Sequence, residues 1–141
     1  MAKKPFVKII LDTNWYVSAT INRRSRRRLY EFLSNPQFQI LYTTELLREY
    51  KEVIGRKKFR KIVSETITSR FLNLTLPKLK NIETKSAVRL SRDSKDNFLL
   101  ALALKSNADY LITGDDDLLV LNQIGRTKIV RMSEFYSLII K

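Results

Sequence analysis

The sequence contains no cysteine and no histidine. Disulfide staples, thiol nucleophiles, Cys/His zinc sites and imidazole acid–base chemistry are excluded together, so any catalysis has to run on carboxylates, hydroxyls, lysine or arginine. Glycine is scarce, with three in 141 residues, and neither a GxxxxGK[ST] loop nor a GxGxxG turn occurs. P-loop and dinucleotide-binding readings therefore fail. Long apolar runs are missing too. The stretch Met1-Ala-Lys-Lys-Pro-Phe6 leads into a run too short for a signal-peptide core, and no run approaches the length that spans a bilayer. A cytoplasmic protein with no membrane contact is the expectation. Acid is the last shortage: 14 Asp and Glu stand against 27 Lys and Arg, a net charge of +13. A field of that sign favours polyanions, nucleic acid first. A surface kept basic for solubility or for an acidic protein partner is the alternative that charge alone leaves open.

What is present, 44% hydrophobic and 29% charged residues, has the balance of one globular domain over residues 1–141 with one sizeable core. Val7 to Leu11 is a β-branched apolar run that stops at the turn-forming triplet Asp12-Thr13-Asn14, which predicts a buried strand feeding a loop and then a helix. Leu29, Phe32 and Leu33 fall at helical spacing over Ser25 to Leu33, and Asn35-Pro36 closes that helix. Phe38 to Tyr42 predicts a second strand, followed by a helix from Glu45 that Gly55 stops. Phe59, Ile62, Val63, Ile67, Phe71 and Leu72 predict another helix over about Lys58 to Leu72. Asp93-Ser94 caps an apolar helix from Lys95 to about Lys105, and Tyr110 to Thr113 predicts a buried strand ending at Gly114-Asp115. A short helix over Leu118 to Leu121, a strand over Lys128 to Val130 and a terminal helix capped at Ser133-Glu134 complete the chain. Strands alternating with helices predict an α/β fold: a mostly parallel sheet of about four or five strands with helices on both faces.

In such sheets ligands bind beyond the carboxyl ends of the strands, and the two best-defined strands both end in an acid, Asp12 and Asp115. Asp96 lies in the first turn of a helix facing that edge, and Glu49 sits in an acid-bearing helix. Gathering like charges in a basic chain makes sense where a cation neutralises them, since adjacent carboxylates otherwise repel and one protonates. Hard oxygen ligands select Mg²⁺ or Mn²⁺, which keeps waters and phosphate oxygens in its shell. Each acid also fits a plain structural role: Asp12 and Asp115 as turn residues, Asp96 as a charge complementing the helix dipole, Glu49 as an exposed helical residue.

The combination of LDTN after strand one, ELLREYKEV in a helix, RDSKDN at a helix start and TGDDDLL after a late strand resembles the PIN-domain family. The resemblance covers essentially the whole chain and is closest to the VapC type, toxins of toxin–antitoxin pairs. It implies a divalent-metal-dependent endoribonuclease that leaves a 5′-phosphate, with Asp12, Glu49, Asp96 and Asp115 as the catalytic acids. It also implies metal binding by Asp12, Asp96, Asp115 and Asp117. Asp93 matches the first acid of the family's DxxDN pattern, and Asp116 falls where the family varies. Thr13, Asn14, Ser18 and Thr113 match small polar positions that hold carboxylates or water in place, or that serve only their turns. For RNA contact the basic clusters Arg23, Arg24, Arg26, Arg27, Arg28 and Arg56, Lys57, Lys58, Arg60, Lys61 stand out, with Trp15 or Tyr16 available for stacking; a solvated basic face and a core or dimer contact are the plain alternatives. An antitoxin protein and a homodimer are the partners the resemblance implies. A haloacid-dehalogenase-like site is disfavoured because Asn14 stands where that family carries a second Asp. The competing reading from another class is a catalytically silent PIN-fold protein that binds RNA or acts as a scaffold.

Overall fold

The computed structural model describes residues 6–84 and 97–139. The expectations for Asp93, Ser94, Lys95 and Asp96 lie outside the described residues. Six strands form one sheet: β1 Val7–Leu11, β2 Phe38–Tyr42, β3 Lys80–Asn81, β4 Tyr110–Ile112, β5 Gln123–Ile124 and β6 Thr127–Val130. Their order is β3-β2-β1-β4-β6-β5, with every pairing parallel except β5 with β6. The flanking helices are α1 Thr13–Ile21, α2 Arg23–Leu33, α3 Thr44–Ile54, α4 Lys57–Arg60, α5 Glu65–Thr75, α6 Asn97–Ser106, α7 Asp116–Leu119 and α8 Met132–Ile139, with a 3₁₀ turn at Leu76–Lys78. The four longer strands are those expected. The two further strands are two-residue edges, too short to carry a hydrophobic pattern.

β1 is central, and Ile9, Ile10 and Leu11 are fully buried, as a strand covered on both faces requires. From β1 the chain winds outward through β2 to β3, then crosses back to lay β4 on the other side of β1. The winding therefore reverses between β1 and β4, and at such a point the outgoing loops diverge and leave a crevice at the carboxyl ends. At the opposite, amino end the sheet is closed by rings: Phe38 and Tyr110, the first residues of β2 and β4, pack on Phe135 of α8 at centroid distances of 5.6 and 5.2 Å.

Several local expectations need correcting, among them the short helix, which runs Asp116–Leu119, and the terminal helix, which starts at Met132 and so holds Ser133 and Glu134 within it. The Asp12-Thr13-Asn14 triplet is not a loop: α1 starts at Thr13 with Asp12 as its N-cap, because the residues that favour turns are also those whose side chains satisfy a helix's first free amides. The single helix expected from Lys58 to Leu72 is two. Ser64 accepts the Ile67 amide proton at 3.2 Å and opens α5 afresh. Ile62, which completed the apparent periodicity, is 63% exposed, while Val63 and Phe71 are buried. α3 does end before Gly55, but with φ −80°. What glycine supplies there is room, since an added Cβ would stand 3.1 Å from the Lys51 carbonyl. The turn joining β5 to β6 has Gly125 at φ +58° followed by Arg126, the two-residue hairpin that wants glycine first.

Candidate active site

Leu11 pairs with Ile112 across β1 and β4, so the residues that follow, Asp12 and Thr113, emerge side by side at the switch point. The Asp12 amide donates to the Ile112 carbonyl at 3.2 Å, and the Thr113 amide donates to the Val130 carbonyl at 2.9 Å. Three adjacent strands thus fix the two backbones. The Thr113 hydroxyl donates to Asp12 Oδ2 and accepts the Asp115 amide proton at 3.0 Å. Its single proton is committed to Asp12, and its lone pair tethers the loop that carries Asp115.

Both acids cap helices. Asp12 Oδ1 accepts the Asn14 amide at 3.0 Å, and Asp115 Oδ1 accepts the Asp117 amide at 2.9 Å. The strand–acid–helix unit therefore occurs twice, on neighbouring strands. The surroundings differ: Asp12 is 6% exposed, whereas Asp115 is half-buried. Burial pushes the Asp12 carboxyl above its ordinary range. Hydrogen bonds from Thr113 and from the amides of Asn14 and Trp15 oppose the rise, and the Asp115 charge adds to it.

Glu49 reaches the same neighbourhood from α3, where its Oε1 accepts the Thr13 hydroxyl proton. Thr13 and Thr113, both buried, therefore each orient a carboxylate. Asn14 contributes its amide, and its side chain is exposed. Ser18 is exposed further along α1, where its carbonyl accepts the Asn22 amide at 2.9 Å. Asp117 is exposed beside Asp115. Asp116 points to solvent and pairs with Arg131 at 3.0 Å. Asp93 and Asp96 lie outside the described residues, and among the described residues no group of three or more acids stands close enough to hold a metal ion.

The stacking role considered for Tyr16 is excluded, because its side chain is 4% exposed. Its hydroxyl has no hydrogen-bond partner among the described residues, and burial followed by the Asp12 charge raises its pKa. Trp15 is half-buried. Of the basic residues, Arg23, Arg24, Arg27 and Arg28 are exposed on α2, while Arg26 is half-buried and donates to the Ala19 and Thr20 carbonyls at 2.9 and 3.1 Å. Arg56 pairs with Glu52 at 2.9 Å, and Lys57, Lys58, Arg60 and Lys61 are exposed on and after α4. Nothing in the sequence singles out the buried bond between the Thr20 and Tyr50 hydroxyls, at 2.6 Å, which locks α1 against α3. No periodicity relates positions 20 and 50, and only the packing brings them together.

Comparison with known proteins gives three results. Residues 8–117 match the PIN domain family. That span runs from β1 to the start of α7. Among curated proteins no sequence match is found. Among solved structures the chain is similar to one in the VapBC2 complex of Rickettsia felis bound to a DNA fragment from its promoter, with a TM-score of 0.59 at 21% identity, covering 86% of this chain and 96% of that one. It is also similar to PAE2754 of Pyrobaculum aerophilum, with a TM-score of 0.62 at 18% identity, covering 96% and 91%. At such identities the structures speak for the fold, and the sequence match speaks for the family: the chain belongs to the PIN-domain family, a family of nucleases.

Proposed function

We propose that the protein is a divalent-metal-dependent endoribonuclease and the toxin of a toxin–antitoxin pair. The observation that carries the reading is the Thr113 hydroxyl, which binds Asp12 on one side and the Asp115 amide on the other. It keeps two acids together at the switch-point crevice of a strongly basic protein. Two acids held this way repel each other, and a bound dication would offset the cost. The donor set is all oxygen, which suits Mg²⁺ or Mn²⁺.

In this reading Asp12, Asp96, Asp115 and Asp117 would hold the ion, with Asp93 in a supporting role. When bound, the ion supplies Lewis-acid stabilisation of the phosphoryl oxygens and a lowered pKa for water. The chain's own residues do the rest. Thr113 and Thr13 hold the Asp12 and Glu49 carboxylates in place, and the Asn14 amide holds Asp12 from the helix side. Asp96 or Asp115 accepts the proton of the attacking water. No protein nucleophile is needed, in keeping with a chain that has neither Cys nor His. Arg24, Arg28, Arg56, Lys57 and Lys58 supply positive charge for the RNA backbone, as do Arg23 and Arg27, while the basic groups of Arg26 are shared with α1. A cognate antitoxin, a homodimeric state and a cytoplasmic location belong to the same reading. It is supported by the likeness to a chain of a VapBC2 complex, and no helix among the described residues is long and apolar enough to cross a membrane.

The test is cleavage of single-stranded and structured RNA, with matched DNA, in Mg²⁺, Mn²⁺ or EDTA, by the wild-type protein and by Asp12→Asn. Asparagine caps helices as well as aspartate does, so the variant should fold, which circular dichroism checks. Expected is metal-dependent cutting of RNA that falls on the order of 10⁴-fold in the variant, the scale at which a single catalytic carboxylate is missed. Equal behaviour of the two proteins would make the non-catalytic PIN-fold role the better account.

A further inference from the structure

Five of the first six residues of α2 are arginine, and its first turn holds no acid. This arrangement opposes folding. Positive charge there meets the positive end of the helix dipole, and Arg23 with Arg27, like Arg24 with Arg28, forms a like-charge pair one turn apart. Among the described residues only Arg26 has an internal task in compensation, closing the end of α1 through the Ala19 and Thr20 carbonyls. The other four make no ion pair with the described residues.

Arg23, Arg26 and Arg27 line the amino end of a shallow groove of about 340 Å³ that runs along α2 past Tyr30 to Ser34. Positions 23, 27, 30 and 34 share one helical face. The Tyr30 hydroxyl is buried and has no hydrogen-bond partner among the described residues, and the Ser34 hydroxyl is spent on the Tyr30 carbonyl at 2.6 Å. Glu31 lies in the same groove and repels phosphate, which confines an anionic ligand to the Arg23–Arg27 end. That end is remote from the acids: the nine residues of α1, at a rise of 1.5 Å each, carry the chain roughly 14 Å from Asp12 before α2 begins. One phosphate group cannot touch both places.

We infer that Arg23 and Arg27, at the amino end of this groove, form a second grip on the RNA backbone one helix length from Asp12, so that the preferred substrate is an RNA whose chain runs on past the scissile phosphate to the first turns of α2. The inference rests on the ribonuclease reading above. It sets Arg26 apart from the arginines around it as a clamp between helices.

Binding of labelled single-stranded RNAs of about 5 and about 15 nucleotides, the span of short and long single-strand sites, is measured by anisotropy in EDTA across a salt series. The proteins are wild type, Arg23→Gln/Arg27→Gln, and Lys128→Gln on β6 as a charge control. The double variant relieves like-charge repulsion and is expected to fold, which circular dichroism verifies. Its affinity for the longer RNA should fall roughly tenfold, and its salt slope should drop by about 1.4, or 0.7 for each phosphate of a single strand that is no longer neutralised. The advantage of the longer RNA over the shorter one should shrink with it, while Lys128→Gln keeps the wild-type values. An unchanged slope and length preference in the double variant would overturn the inference and return the arginine face to an acidic protein partner. Because EDTA removes cleavage from the measurement, a protein that grips long RNA through these arginines but never cuts it would sink the ribonuclease reading and leave the grip standing.

Discussion

At the amino end of the sheet Phe32, Phe38 and Phe135 close on one another with ring centroids 4.9 to 5.7 Å apart, whereas at the carboxyl end the strands run out into Asp12, Thr113 and Asp115. The ring cluster needs only contact and exclusion of water, which have no direction. The acid end depends on direction. The Thr113 proton is committed to Asp12, the Thr13 proton to Glu49, and the helix-end amides to the capping carboxylates. It also works against folding, since burial lifts the Asp12 carboxyl above its usual range. One end of the sheet stabilises the fold and the other draws on that stability.

Three perturbations sharpen this contrast. The largest effect is expected from Phe135→Ala, which empties the middle of the ring cluster and should lower unfolding free energy by about 3–5 kcal/mol, read from denaturant midpoints. Nuclease activity per folded molecule should survive at low temperature, and a selective loss of activity would break the division between the two ends. Thr113→Val should do the reverse, lowering cleavage about 10–100-fold, as removal of a group that orients a ligand does. Stability should fall by only about 1–3 kcal/mol for the Asp12 and Asp115 partners left unmet. Equal activity in the valine variant would show that Asp12 needs no orienting hydroxyl.

The smallest effect concerns Asp12→Asn in metal-free buffer. Because the folded-state pKa of Asp12 lies above its unfolded value, the folded chain holds that proton more tightly. Stability is therefore lost as pH rises from the ordinary carboxyl range through the raised folded value, and it stays reduced above. The asparagine variant has no such loss. It should melt at a higher temperature than wild type at neutral pH, with the gap closing as pH falls below the ordinary carboxyl range. A wild type that is the more stable at neutral pH would show that hydrogen bonds outweigh burial at Asp12.

The legibility of the chain follows the same divide. β1 and β2 are readable to the residue, because a short, largely apolar run bounded by turn residues carries its own signal. α1 is not, because TNWYVSATI packs against α2, α3 and α5 and so lacks the one-sided apolar stripe that marks a surface helix. Its capping residues also read as a turn. β3 and β5 are two residues each, too short for any period to show. In the candidate site Asp12 and Asp115 can be placed at one edge from strand order alone. The links from Thr13 to Glu49 and from Thr113 to Asp12 cannot, since they join residues 36 and 101 positions apart.

The chemistry available to this protein, carboxylates within a basic chain that has neither thiol nor imidazole, is set by composition, and the alternation of strands with helices is set by local hydrophobic period. Both are properties of neighbouring residues, which a sequence displays directly. Which acid is buried, which threonine faces it and which arginine is bound to backbone were decided only by tertiary packing. Hydrogen bonds and desolvation depend on ångström separations between segments distant in the chain, and no local pattern encodes them.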